Sequence, residues 1–276
     1  MNSASSTIPA SNLHAGDLVE IRSAEEVLAT LDADGTVESM PFMPEMLKFC
    51  GKRFRVFKRS NKTCDTIDKT GLRRMKNAVL LEGVRCDGAA HGGCEAGCLI
   101  FWKEQWLKRV QGDSKSGDPV IHIESSEPNP VAPARLHSDI EAGLSSKAQV
   151  NSLSDTCGEP VFRCQITEIK KATVPLSWWD PRQYVEDVTS GNRSILEVLA
   201  GLCIMFFNTV QRMRGGDIYP YMEQGTQKKT PVGATNLQKG DLVRVKTTEE
   251  IRATLDQGYR NRGLWFDVGM LRKSNR

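Results

Sequence analysis

The chain has 276 residues, 39% of them hydrophobic and 26% charged, with a formal net charge of +3. That balance excludes a disordered or fibrous polypeptide and leaves room for two or three ordinary domains. So small a positive excess does not by itself imply a polyanionic partner.

Residues 1–12 are rich in Ser and Ala, with no basic residue and no apolar core. They predict neither a secretory signal nor an arginine-rich transit peptide, so a cytoplasmic, reducing setting is expected. In such a setting the eight cysteines more often serve as metal ligands, redox groups or buried apolar side chains than as disulfides.

A shift of 224 positions lays residues 16–19 (GDLV) on residues 240–243 (GDLV). Between residues 16–32 and 240–256, ten of seventeen positions are identical, including Glu25-Glu26 on Glu249-Glu250. Without a gap, Phe42 then falls on Phe266 and Met46-Leu47 on Met270-Leu271. The chain therefore carries a duplicated module. Residues 18–22 mix apolar and polar side chains as a half-buried strand does. Ser23-Ala24-Glu25-Glu26 predicts a capping box opening a helix to about Leu31, with a turn at residues 32–35. Residues 54–58 (FRVFK) predict a second strand. Together these features resemble an SH3-like barrel, with another small β-barrel or roll as the alternative. The second copy reaches Arg276, which aligns with Lys52, so the counterpart of residues 54–58 is absent. An unclosed sheet edge is expected, and with it either a shortened gene product or a partner that supplies the strand.

Five cysteines lie within the first hundred residues: Cys50, Cys64, Cys86, Cys94 and Cys98. The last three form C-x7-C-x3-C around His91, in a glycine-rich stretch able to fold tightly round an ion. Zn2+ takes four N or S ligands and an iron–sulfur cluster typically four thiolates. Cys64, Cys86, Cys94 and Cys98 form the expected set, with Cys50 and His91 as alternates and zinc preferred over iron–sulfur. Packed or free thiols, and a catalytic thiol beside His91, are the competing readings. Apolar residues at 99, 102, 106 and 110 keep helical spacing and predict an amphipathic helix beyond the cluster.

Prolines and small polar residues make 111–156 a linker, with a short helix predicted near 140–150. Residues 161–169 alternate like a strand. Trp178, Trp179, Arg182 and Tyr184 could form a partner-binding surface. The alternative is that Asp180-Pro181 starts a helix which the aromatics anchor. Cys157 and Cys164 add a further metal half-site. Ile195 and Val210 bound the most apolar stretch (ILEVLAGLCIMFFNTV). A buried helix is expected there, with a membrane anchor followed by Arg212 and Arg214 as the alternative.

The expected fold class is α+β. Small SH3-like modules, one at residues 13–110 and an incomplete copy at 237–276, flank a mixed central region at 157–225. The CGKRFRV, KTCDT and RCDGAAHGGC segments, within residues 16–106, resemble an uncharacterised bacterial cysteine-rich protein family with a duplicated SH3-like module. That resemblance implies a complete second copy in such proteins, and that cysteines recurring in both copies are ligands.

No phosphate-binding loop, nucleophile elbow or His-Glu-x-x-His is present, so the catalytic residues, if any, are unknown. The expected function is a metal-stabilised tandem-module binding or accessory protein with a protein partner. The alternatives are an iron–sulfur redox protein or enzyme, and nucleic-acid binding through Lys52, Arg53, Lys58, Arg59 and Lys62.

Overall fold

The structure, a computed structural model, describes residues 12–68, 70–110, 140, 142–145, 149–150, 161–219, 221, 223–229, 236–238, 240–267 and 270. Most of the expected linker, and Cys157 with it, lies outside these residues. The chain divides into two compact units, residues 1–198 and 199–276.

In the first unit, β1 (Leu18–Ile21) leads to α1 (Ala24–Leu28) and a hairpin of β2 (Thr36–Val37) and β3 (Met40–Pro41). A 3-10 helix (Pro44–Phe49) is followed by β4 (Arg53–Arg59), β5 (Lys62–Asp65), β6 (Gly71–Met75) and β7 (Ala78–Arg85). β8 (Leu99–Lys103) and β9 (Leu107–Arg109) close the module, joined by a single 3-10 turn (Glu104–Trp106). The expected capping box is present: Ser23 Oγ accepts from the Glu26 amide while Glu26 accepts from the Ser23 amide. The Asp32 carboxylate receives the amides of Asp34 and Thr36, which sets the predicted turn.

Antiparallel strands form a five-stranded sheet in the order β8-β7-β4-β1-β9. β8 and β9 lie on opposite edges although only three residues separate them. The sheet must therefore curl until its edges approach, giving a half-barrel. Val19, Ile21, Val56 and Leu81 point into its concave side and are essentially fully buried. Trp102 sits at the centre, edge-on to Phe42 and Phe49.

The amphipathic helix expected over 99–110 is instead strand, 3-10 turn and strand. Ile100, Phe101, Trp102 and Lys103 are buried in succession. Such a run needs cover on both faces, which a strand paired to β7 and roofed by other elements receives. The helical spacing of 99, 102 and 106 arose from a strand joined to a turn.

A second sheet, β12-β6-β5, recruits β12 (Thr173–Pro175) from the central region. Arg73 of β6 is buried and bonds Thr173 Oγ1, Thr173 O and Lys170 O at 2.7–3.0 Å. β10 (Gln149–Val150) pairs with β11 (Val161–Phe162), and beyond Phe162 the predicted strand gives way to turns. α2 (Arg182–Thr189) follows Pro181 as the sequence predicts, and α3 (Ile195–Arg214) carries the apolar stretch. None of its residues is buried, which corrects the expectation of a core helix: among the described residues no layer packs over its apolar side.

In the second unit, α4 (Thr248–Arg252) has its own capping box, Thr247 with Glu250. β13 (Arg260–Asn261) and β14 (Leu264–Trp265) form a hairpin at positions displaced by 224 from β2 and β3. Asp256 receives the Gly258 and Arg260 amides just as Asp32 receives those of Asp34 and Thr36. Among the described residues the two copies differ at the first strand. Residues 242–245, equivalent to β1, form no strand, and Val243 and Val245 are 57% and 55% exposed. β1 is held between β4 and β9, whereas among the described residues no strand pairs with 242–245.

Candidate metal centre

Three elements of the first unit converge on one buried point. The 3-10 helix Pro44–Phe49 brings Glu45, the end of β7 delivers Cys86, and the following loop delivers His91. A carboxylate oxygen, the thiol sulfur and an imidazole nitrogen lie within 4.8 Å of one another. Glu45 and His91 are buried and Cys86 is partly so.

The loop has its shape because Gly88 adopts φ +72° against the Cys94 backbone, where a Cβ would collide with the Cys94 carbonyl. The Gly88 carbonyl then accepts from the amides of His91 (2.9 Å) and Gly93 (3.0 Å). That turn aims the imidazole inward. Its Nδ1 lies 2.5 Å from Glu45 Oε1, which also accepts from the Ala90 amide at 2.9 Å. An ion pair between Lys48 and Asp87 ties the loop to the 3-10 helix from outside.

Two buried atoms at this point make no hydrogen bond of ordinary geometry: Glu45 Oε2 and His91 Nε2. Buried polar atoms are normally satisfied, so each of these calls for an explanation, a bound ion being one. The Glu45 hydrogen bond raises the His91 imidazole above its ordinary value against the opposing effect of burial, and the backbone of Arg163 favours the proton as well. Burial pushes the Glu45 carboxyl up, but hydrogen bonds from His91 and from backbone amides outweigh it and hold the group low. Burial also raises the Cys86 thiol.

These directions fix a pH dependence for the chain kept free of metal by a chelator. Stability from protonated His91 is complete below about pH 6.5 and is lost as pH rises through its raised folded value. The Glu45 part is complete above about pH 4.5 and is lost as pH falls through its depressed value. Urea midpoints of the chelated protein should therefore fall between about pH 6 and pH 9 relative to those of His91→Gln. Parallel profiles for the two proteins would show that the pair is not coupled to folding.

Of the ligands expected from the sequence, Cys86 and the alternate His91 belong to this group. Cys64 is exposed on β5, and Cys50 is packed beside the core, its thiol pushed up to about 12 by burial and by Glu25. Cys94 and Cys98 lie outside the group of three. The Cys98 thiol is raised by burial and by the charges of Cys164 and Cys94. Cys98 also accepts the Cys86 amide through its carbonyl, at 2.9 Å. Glu45 escaped the sequence reading, since 41 residues separate it from Cys86. The available signal was a lone carboxylate in the apolar run Met43-Pro44-Glu45-Met46-Leu47.

Trp178 and Trp179 are exposed rather than anchoring α2. Their loop is held by Gln183 Nε2, which donates to the carbonyls of Ser177 and Trp178, and by the Tyr184 hydroxyl, which donates to Trp178 O. Arg182 donates its amide to Asp180 beside them. Within the basic strip, Arg53, Arg59 and Lys62 are engaged by Glu20, Glu104 and Asp187.

The fold and site thus define a mixed α+β chain, with a curled antiparallel half-barrel carrying a group of three side chains that could hold a metal ion. No family model, curated protein or solved structure matches this chain.

Proposed function

We propose that this chain is a metal-stabilised binding or accessory protein whose first module is an SH3-like barrel closed around Zn2+ at Glu45, Cys86 and His91. The observation that carries this reading is the Glu45–Cys86–His91 group itself, two of its members buried and one ligand atom of each within 4.8 Å of the others. One imidazole, one thiolate and one carboxylate suit Zn2+, whereas an iron–sulfur cluster calls for about four thiolates. An ion there would fasten the 3-10 helix to the loop after β7, in a module whose strands are short. The sheet order supports the SH3-like reading, since the last strand returns through a 3-10 turn to pair with the first. The exposed Trp178-Trp179 pair, rigidly held, suits a protein partner.

Elemental analysis of anaerobically purified protein tests the proposal. About one zinc per chain is expected, and Cys86→Ser or His91→Ala should lose it and melt roughly 5 °C lower or more. Cys64→Ser should keep its metal. Iron with visible thiolate-to-iron absorption would replace this reading with a redox one. Wild-type protein without metal, melting like both site variants, would end it.

A further inference from the structure

We propose that α3 is an in-plane anchor that lays its apolar side on an anionic bilayer surface. Ile195, Leu199, Phe206 and Met213 recur at helical spacing and are all exposed, Phe206 at 72%. Leu196 and Phe207, off to one side of that stripe, are exposed as well. At about 100° per residue these exposed apolar residues cover roughly a third of the circumference.

The opposite side is served by the chain itself. Asn208 exchanges two 2.7 Å hydrogen bonds with the backbone of Tyr219, and the Gly216 amide donates to Gln211 O at 2.9 Å. Residues 216–219 therefore double back along the polar side and leave the apolar side open. Cations stand at both ends of the helix, with Arg193 before it and Arg212 and Arg214 in its last turn.

Three arrangements compete, and two magnitudes separate them. The uncharged stretch between Glu197 and Arg212 is 14 residues, or about 21 Å at helical rise, against the ~30 Å of a hydrocarbon core. A spanning helix would bury charge, whereas a helix lying in the surface would not. A second copy of α3 would cover only the narrow seam of a helix pair. Leu196 and Phe207 would then stay in water, and a parallel pair would bring like arginines together. A lipid surface covers the whole arc and supplies counter-charges to the arginines.

The test is flotation of the full chain with vesicles of phosphatidylcholine containing about 30 mol% phosphatidylserine, and with pure phosphatidylcholine. Binding to the anionic vesicles alone is expected, weakening as salt is raised. The double variant Leu199→Glu, Phe206→Glu should lose at least about tenfold in partitioning. Arg212→Glu with Arg214→Glu should lose about as much through charge alone. Both pairs are exposed, so far-UV circular dichroism should be unchanged. If the first pair perturbs folding, the arginine pair and the salt series on wild type still decide. Failure to bind either vesicle overturns the proposal. So does a wild-type dimer without vesicle binding that the Glu variants dissolve, which would assign the face to a second copy. Retention in the vesicles at high salt and alkaline pH would also overturn it, in favour of a spanning helix.

Discussion

Glu104→Ala is expected to destabilise the first unit by about 3–5 kcal/mol, the typical penalty for removing one partner of a buried ion pair. Glu104 Oε1 receives Arg59 Nη1 at 2.5 Å and the Leu13 amide at 3.1 Å, and its side chain is almost wholly buried. Arg59 in turn donates to Leu13 O at 2.9 Å, while its backbone exchanges two 2.8 Å bonds with Asn192. One pair therefore joins β4, the β8–β9 turn, the entering chain and the segment after α2. With Glu104 gone, a largely buried guanidinium keeps only neutral acceptors. Replacing both partners together, as Arg59→Met with Glu104→Leu, should recover much of the loss, because no charge is then left without its counter-ion. Urea unfolding at neutral pH measures both variants. A loss under about 1 kcal/mol for Glu104→Ala would mean that water reaches this pair.

Trp102→Ala is expected to cost about 3–5 kcal/mol, through lost burial and the cavity left behind. Trp102 has no exposed surface and packs edge-on against Phe42 (6.4 Å) and Phe49 (6.1 Å). Its neighbour in the core, Trp106, makes the useful comparison. Trp106 Nε1 donates to Thr30 Oγ1 at 3.2 Å, whereas Trp102 Nε1 is buried without a partner. Trp102→Phe removes a donor that contributes nothing, while Trp106→Phe breaks a bond inside the core. Thermal melts should therefore rank Trp102→Phe as the milder change by about 1 kcal/mol. The reverse order would show that the Trp102 N–H is satisfied by something not yet seen.

The candidate site was only half legible in the sequence. Cys86 and His91 stand five residues apart in a glycine-rich loop, and local chemistry was enough to mark them. Glu45 arrives from another element, and only its place in an apolar run sets it apart from a solvent-facing carboxylate. Cys64 stands outside the group for a related reason. A cysteine count assigns ligands by number, but β5 and β6 carry Cys64 away on a hairpin of their own. For α3, composition announced a helix correctly and then suggested burial, which is a property of neighbours rather than of residues.

The duplication separates what sequence alone determines from what tertiary structure decides. Both copies form the capped short helix, the aspartate-bound turn and the two-residue hairpin, because each closes hydrogen bonds within a few residues along the chain. Residues 18–21 and 242–245 are equally strand-like in pattern, yet only the first set is a strand. A strand's hydrogen bonds are made by partners distant in sequence, and among the described residues such partners flank the first copy alone.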